Sequence, residues 1–376
     1  MTVTSAQTNP PPATIEWLPA VIIGLVGLGL AGLVALDTGI RGVTLFVLGG
    51  ALGAVFIGFQ YGFASAWRRF LVAGETMGIA AHFLLVGLCG LVFIPAAGLG
   101  LAATGSLAPV SVSLVIGAFV FGIGMQLANG CGSGVLFSFG GGSGRMLVAL
   151  PFFIFGSLLG SFLLPTALGW GSLGQVAIGG GDAMTRLLAN IALIGAAGTA
   201  FYAVGRRRGQ TLPRQLVTGS IIIAILCWLV FAISGNPWGV TFGFTLWGGK
   251  IAMALGVPVG DFTFWQWAGP ERALTHSVLA DVSSLMDIGM VIGAGLLAAV
   301  GGGLRRQAWP SSRQLVAAAL GGMLMGIGAR LGFGCNIGAF LAGIASGSLH
   351  GWIWFVMAMA GSWVGVWWRP VFGMPR

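Results

Sequence analysis

The chain carries one sixteen-residue pattern twice, and both copies end in a cysteine. The first copy occupies residues 116–131 and the second occupies residues 320–335, at a constant offset of 204. The identical positions are Gly117/Gly321, Gly122/Gly326, Ile123/Ile327, Gly124/Gly328, Leu127/Leu331, Gly130/Gly334 and Cys131/Cys335. The similarity resumes downstream, at 156–160 and 361–365. Two separated copies of a glycine-rich element in an apolar chain are typical of proteins built from membrane-embedded repeats.

The composition is that of an integral membrane protein. Hydrophobic residues make up 57% of the chain and charged residues 7%, whereas soluble domains carry about 25% charged residues. The 68 glycines favour a tightly packed helix bundle, because small residues let membrane helices approach closely.

The net charge of +9 comes almost entirely from arginine, since Lys250 is the only lysine. Most arginines lie in short loops between apolar runs. We therefore interpret them as topology signals and expect no nucleic-acid partner.

Ten apolar runs are long enough to cross a bilayer, which takes about 20 residues. They are 19–36, 43–61, 77–97, 112–128, 146–168, 187–204, 216–233, 285–304, 315–332 and 350–368. The loops on one side hold Arg68, Arg69, Arg145, Arg206, Arg207, Arg208, Arg214, Arg305, Arg306, Arg313, Arg369 and Arg376. The other side holds only Arg41, Arg186, Lys250 and Arg272. The positive-inside rule then predicts a multi-pass protein of a bacterial inner membrane with both termini in the cytoplasm.

Four apolar segments are too short to cross and are predicted to be re-entrant. They are 62–73, 132–142, 243–256 and 336–347. Each half of the chain then reads span, re-entrant, span, span, re-entrant, span. A single linker span, 187–204, joins the halves and inverts the second against the first. The predicted fold is an all-α integral membrane protein, an inverted-repeat helical bundle with about 9–10 spans and four short re-entrant segments.

This organisation divides the chain into six parts. We predict a disordered cytoplasmic tail at 1–18, an extra N-terminal span at 19–42, a first inverted repeat at 43–170, a linker span with a basic cytoplasmic loop at 171–215, a second inverted repeat at 216–368 and a tail at 369–376.

The breaks around the repeated cysteines are the predicted substrate pathway. Irregular backbone at membrane depth is tolerated only inside protein or beside a polar cavity. A helix that starts at such a break points its positive end into the cavity, which favours an anion. A thiol is a weak donor with a polarisable sulfur, so it suits a sulfur-bearing anion. The predicted pathway residues are Gly130, Cys131, Gly132, Gly334, Cys335 and Asn336. Because the halves are inverted, we expect Cys131 to be reached from the cytoplasm and Cys335 from outside.

Two cations complete the predicted site. Arg330 lies five residues before Cys335 inside an apolar run, and an intramembrane arginine suggests a functional role. Lys250 ends a predicted re-entrant segment on the outer side and could attract anions. Asp287 is a candidate ion-pair partner for either cation. The three histidines share no metal-ligand spacing, and residues 140–144 lack the Lys-Ser/Thr of a phosphate-binding loop, so no metal or cofactor is expected.

The two Gly-Cys elements resemble those of the YeeE/YedE family of sulfur-compound transporters. The resemblance covers roughly residues 45–365 and includes 243–250 and 287–294. It implies an hourglass-like fold with central re-entrant helices, thiosulfate uptake, and a relay of thiosulfate along cysteine thiols, here Cys131 and Cys335. It also implies a small sulfurtransferase-like partner in the cytoplasm.

The chain departs from the family pattern in the first re-entrant segment. Relatives often carry a cysteine after a Gly-Phe pair, where this chain has Ala64. The relay would then rest on two thiols, unless Cys89 supplies a third.

Three functions fit these observations. The first is uptake of thiosulfate or a closely related sulfur-bearing anion, and the second is transport of a selenium compound. The third is a transmembrane thiol–disulfide electron carrier that uses Cys131 and Cys335. We therefore do not expect the protein to be an enzyme. Passive and coupled transport both remain open.

Overall fold

The computed structural model describes residues 15–98, 105–180, 183–304 and 309–376. The predicted disordered tail lies mostly outside these ranges, and α1 begins at Trp17, so the last two residues of the predicted tail are helical. The helices are α1 (Trp17–Gly58), α2 (Phe63–Ala73), α3 (Met77–Gly98), α4 (Val112–Ala128), α5 (Gly132–Gly140), α6 (Gly144–Leu168), α7 (Ala183–Arg207), α8 (Arg214–Ser234), α9 (Thr241–Ala254), α10 (Ala268–Thr275), α11 (Val282–Val300), α12 (Ser312–Leu331), α13 (Ala342–Ala345) and α14 (Leu349–Trp368). Within the described ranges, nine helices are long and apolar enough to cross a membrane.

Helix α1 is interrupted at Gly39, whose φ of 67° and ψ of −161° are not helical. The arm before Gly39 runs antiparallel to α11. The Glu16 N–H donates to Ala299 O at 2.9 Å, and Gly27 packs against the side chain of Ile292.

The arm after Gly39 runs parallel to α11. Gly49 packs against the backbone of Met286, and Gly58 lies against Leu297, about three turns further along α11. The two arms of α1 therefore run in opposite directions. They correspond to the predicted runs 19–36 and 43–61, which explains why nine long helices accommodate ten predicted spans.

The four predicted re-entrant segments are short helices. They are α2, α5, α9 and a π-helix at Asn336–Leu341 that continues into α13. At 4 to 14 residues, none is long enough to span a bilayer, which takes about 20 residues.

The two duplicated helices pack directly on each other through their repeated glycines. A Cβ on Gly124 would lie 2.6 Å from Gly321 O, and a Cβ on Gly328 would lie 2.6 Å from Gly117 O. Because 117 is equivalent to 321 and 124 to 328, each contact is the symmetry mate of the other. Such reciprocal contacts are those of a two-fold axis. The axis passes between α4 and α12, which are antiparallel, so it inverts one half relative to the other.

The long helices downstream of the two cysteines, α6 and α14, obey the same symmetry. Gly361 of α14 packs against Phe119 O of α4, and Gly156 of α6 packs against Met323 O of α12. Phe119 and Met323 are equivalent at the offset of 204. Each half therefore packs its downstream helix onto the duplicated helix of the other half, so the halves are interleaved and not side by side.

One end of the bundle gathers arginines from both halves. Arg68 and Arg369 both donate to Asn129 Oδ1, and Arg145 begins α6 beside them. We call this the arginine-rich end. The grouping agrees with the predicted sidedness of the loop charges.

The opposite end carries a feature that the sequence did not predict. Residues Pro109–Ser111 (β1) and Ser172–Gln175 (β2) pair antiparallel. The Ile178 N–H then donates to Gly347 O at 2.8 Å. We call this the ribbon end, and it ties together the loops of both halves.

The short helices after the cysteines point to opposite ends. Helix α5 runs from Gly132 to the arginine-rich end, where Ser138 lines a cavity with Arg145. The π-helix and α13 run from Cys335 to the ribbon end, where Ser106 Oγ donates to Gly338 O at 3.1 Å. This opposition agrees with the predicted inversion.

The glycine crossing predicts a specific loss of stability. A Gly124→Val substitution would drive side-chain atoms into the backbone of α12, and overpacking typically costs about 1–3 kcal/mol. We expect a lower apparent melting temperature of the detergent-solubilised protein. The matched control is Gly195→Val in α7, where a Cβ meets nothing within 4 Å. Equal destabilisation by the two variants would contradict the crossing.

Candidate functional site

The two repeated cysteines occupy equivalent backbone positions. Each is the residue before a short helix and has extended backbone, with φ −90° and ψ −169° at Cys131 and φ −112° and ψ −165° at Cys335. Two residues earlier, Asn129 and Phe333 both have positive φ, at 67° and 60°. The same reversal thus ends both duplicated helices and presents both cysteines.

The two cysteine segments meet in the interior. A Cβ on Gly132 would lie 2.9 Å from Cys335 Sγ and 3.6 Å from Thr241 Cγ2. Any side chain at Gly132 would therefore displace the Cys335 thiol. Gly334, the residue before Cys335, must also be glycine, because other residues rarely adopt its φ of +150°. Both thiols are free and buried.

Cys131 faces a cavity of about 210 Å³ that is also lined by Ala64, Asn129, Gly130 and Ser138. The cavity lies on the side of the arginine-rich end, because Asn129 is the residue to which Arg68 and Arg369 donate. The predicted direction of access to Cys131 agrees with this placement. Cys335 is fully buried and does not line this cavity.

Ala64 lies in the cavity wall. Its carbonyl accepts from Gln126 Nε2 at 3.3 Å, which holds the start of α2 against the end of α4. A cysteine at this position would face the same space as Cys131, so the departure from the family pattern removes a thiol from the cavity itself.

Cys89 does not replace that thiol. It lies beside Cys227, between α3 and α8, and neither lines the Cys131 cavity.

Hydrogen-bond donors surround both sulfurs. The hydroxyl of Ser133 lies 3.5 Å from Cys131 Sγ, and the N–H of Gly134 faces the same sulfur. The N–H groups of Ile337 and Gly338 face Cys335. First-turn N–H groups have no partner within their own helix, so both sites favour an anion.

Asn336 adds a buried polar group next to Cys335. Its side chain is fully buried, and neither Oδ1 nor Nδ2 has a hydrogen-bond partner within the described ranges. A buried amide without partners is unfavourable. A ligand at Cys335 would therefore gain a ready donor.

Arg330 reaches the interior from the end of α12. Its guanidinium carbon lies 6.0 Å from the ring centre of Phe242 and 5.8 Å from that of Phe264. Its Nε is buried without a described partner, and the guanidinium lies close enough to Cys335 for the two groups to interact electrostatically. A half-buried guanidinium that lacks a carboxylate partner is suited to hold an anion.

The structure places Lys250 apart from the cysteines. Its Nζ donates to Leu274 O and His276 O, both at 2.6 Å. These bonds attach α9 to the end of α10, so the Lys250 ammonium stabilises the junction of these two helices.

Asp287 does not form the expected ion pair. It is fully buried, and its two oxygens have no hydrogen-bond partner among the described residues. It lies against Gly243 at the start of α9. Both candidate cations point elsewhere, Lys250 to carbonyls and Arg330 to two aromatic rings.

The sequence reasoning did not identify Asn129 or Thr241 as site residues. Asn129 closes α4 and lines the Cys131 cavity, while Thr241 begins α9 beside Cys335. The position of Asn129, two residues before the repeated cysteine, could have indicated that it belongs to the site. Nothing in the sequence connects Thr241 to Gly132 and Cys335, because the three residues belong to distant segments. No group of three metal-ligating side chains occurs in the described ranges.

Comparison with known proteins identifies the family of the chain. A family model described as sulphur transport matches residues 60–364. The probable transporter YedE of Escherichia coli is 34% identical over 158 residues, which cover 41% of this chain and 38% of YedE. Its Salmonella typhimurium counterpart is 35% identical over the same shares. The thiosulfate transporter TsuA of Spirochaeta thermophila is 29% identical over 274 residues, which cover 68% of this chain and 77% of TsuA.

The aligned part spans well under half the length of the two YedE relatives. The family model, by contrast, covers most of the chain and contains both cysteine elements. The resemblance drawn from the Gly-Cys motifs is therefore confirmed, and the chain belongs to the sulphur transport family.

Proposed function

We propose that the protein takes up thiosulfate, or a closely related sulfur-bearing anion, across a bacterial inner membrane. The observation that carries the proposal is the meeting of Cys131 and Cys335, each at the positive end of a short helix. The family match and the likeness to a thiosulfate transporter over 68% of the chain support it.

The chemistry of the site suits a soft dianion. The backbone N–H groups beside each sulfur, the Asn336 amide and Arg330 would bind the oxygens. The two thiols would contact the terminal sulfur, for which a polarisable S–H donor is well matched. Because Cys335 packs against Gly132, an anion could pass from one thiol to the other over a short path.

The inverted halves supply the two directions of approach. Cys131 faces a cavity toward the arginine-rich end, and the helix after Cys335 runs to the ribbon end. We place the arginine-rich end and both termini in the cytoplasm, following the positive-inside rule. Thiosulfate would then reach Cys335 from outside and leave past Cys131.

The membrane potential opposes this uptake. Moving two negative charges into an inside-negative cell costs about 4.6 kcal/mol per 100 mV, from about 2.3 per charge. Uptake therefore needs a sink or a coupled cation. We propose a sulfurtransferase-like protein at the cytoplasmic face as the sink, because it would consume the anion as it emerges.

Removing either central thiol should stop transport. A hydrogen bond to a charged ligand contributes about 1.5–3 kcal/mol, so we expect Cys131→Ala and Cys335→Ala to lower thiosulfate uptake roughly 10–100-fold. The measurement is growth rescue of a bacterium that lacks thiosulfate uptake, together with labelled thiosulfate uptake by the same cells. Cys89→Ala and Cys227→Ala are the matched controls, since both thiols are equally buried but lie outside the site. Full rescue by both central variants would remove the cysteine mechanism.

The two thiols should differ in their access to solvent. A small anionic methanethiosulfonate should modify Cys131 in inside-out vesicles, because Cys131 lines the cavity toward the arginine-rich end and Cys335 does not line it, and thiosulfate should slow the reaction. Mass spectrometry of the labelled peptides identifies the modified cysteine. A Cys131–Cys335 disulfide that titrates with redox potential would instead support the electron-carrier alternative.

Substitution of Arg330 should affect uptake and stability differently. We expect Arg330→Met to abolish uptake while leaving the melting temperature unchanged or raising it, because a partly desolvated charge without a carboxylate partner contributes little to stability. Arg186→Met, at an exposed arginine of α7, is the control and should change neither quantity. Retained uptake in Arg330→Met would show that the guanidinium does not bind the anion.

A further inference from the structure

Three guanidinium groups converge beside the Cys131 cavity. Arg68 Nη1 donates to Asn129 Oδ1 at 2.5 Å, and Arg369 Nη1 reaches the same oxygen at 3.3 Å. Arg369 Nη1 also donates to Gln126 O at 2.6 Å. Asn129 is thus held by two arginines, one from each half of the molecule. Its Oδ1 is occupied, which leaves the amide nitrogen as a donor.

The third guanidinium belongs to Arg145. Its charge acts on both Arg68 and Arg369, so the three groups form one electrostatic cluster. Arg145 lines a second cavity of about 360 Å³, together with Asn129, Ser138, Ser143 and Gln314. Pockets that bind small molecules have volumes from about 300 Å³ upward.

No carboxylate balances this cluster within the described ranges. The ion pair found there joins Arg69 to Glu75 at 3.1 Å, at a neighbouring position of α2. The described hydrogen bond of the Arg145 guanidinium goes to Met374 Sδ, at 3.1 Å. Half-buried like charges repel one another, and an anion between them would remove that repulsion.

The start of α6 adds to the positive field. Ser143 precedes this 25-residue helix, and its hydroxyl makes no capping bond. Met146 N–H is satisfied by Ser143 O, but the N–H groups of Gly144 and Arg145 have no described backbone partner. The helix dipole therefore points its positive end at the cavity that Arg145 lines.

This second cavity adjoins the cysteine pathway. Asn129 and Ser138 line both cavities, and Asn129 lies two residues before Cys131. We infer that Arg68, Arg145, Arg369, Asn129 and the start of α6 form an oxyanion-binding site at the inner mouth of the pathway, which receives the sulfur-bearing dianion after it leaves Cys131. The assignment as a pathway site rests on the proposed function.

The site differs chemically from the thiol centre. It offers guanidinium, amide and hydroxyl donors, which recognise the oxygens of a tetrahedral anion and make no use of its sulfur. Sulfate and phosphate should therefore compete at this site, whereas the thiols select for a sulfur-bearing anion. The thiols would then set the selectivity for a sulfur-bearing anion, and the oxyanion site would govern its release.

The test compares transport from the two faces of the membrane. The full chain is reconstituted in liposomes of phosphatidylcholine, and the orientation is read from protease cleavage of a C-terminal tag. In Arg145→Gln, the loss of a charged hydrogen bond should raise KM for thiosulfate supplied at the arginine-rich face roughly tenfold or more. KM at the ribbon face should change less than about twofold. Arg145→Lys, which keeps the charge, should fall between the wild type and Arg145→Gln.

The matched control is Arg214→Gln, an exposed arginine at the start of α8, which should leave both KM values unchanged. Equal shifts of KM at both faces, or no shift at either, would overturn the assignment. A lipid headgroup is the competing ligand. If Arg145→Gln releases bound cardiolipin in native mass spectrometry and leaves KM unchanged, the cluster is a lipid site and the inference is wrong.

A binding measurement separates this inference from the proposed function. Sulfate should raise the melting temperature of the wild type and of Cys131→Ala, but not that of Arg145→Gln. If the wild type carries no thiosulfate, the proposed function fails, yet this pattern would still support the oxyanion site. Equal stabilisation of all three proteins by sulfate would rule the site out.

Discussion

The close crossing of α4 and α12 is the contact on which the rest of the structure depends. Gly124 lies against Gly321, and Gly117 against Gly328, so the two backbones touch without intervening side chains. In a bilayer, where apolar surfaces gain little by leaving lipid, such close backbone packing is a main source of helix association. The crossing also sets the two-fold axis, and the axis brings the cysteine at the end of each helix to the centre.

The two halves share a backbone plan but differ in detail, since an α-helix follows Cys131 and a π-helix follows Cys335. Cys131 and Cys335 share the same extended conformation before a short helix, but their surroundings differ. Cys131 opens to a cavity beside a cluster of arginines, whereas Cys335 is fully buried near Arg330 and an unpartnered Asn336. The uptake proposed above would therefore use different groups at the two ends of the path.

Much of the architecture could be predicted because membrane spans obey simple length and charge rules. The ten apolar runs, the four short segments and the inversion all follow from them. The break at Gly39 was predicted as a loop between two spans, and the structure shows it as a sharp turn within α1. The small β-ribbon was not predicted, since two short polar strands carry no periodic signal. The predicted pairing of Asp287 also failed, because sequence distance does not reveal which way a buried side chain points.

The sequence by itself determined that this is a membrane-embedded inverted repeat with a thiol at each central break, because repetition, hydropathy and loop charge are properties of the chain. Only the tertiary structure decided which groups meet. It packed Cys335 against Gly132, moved Lys250 to the end of α10, and gathered Arg68, Arg145 and Arg369 around one asparagine. These contacts join different helices and loops, and their partners are set by how the helices cross, which no local pattern encodes.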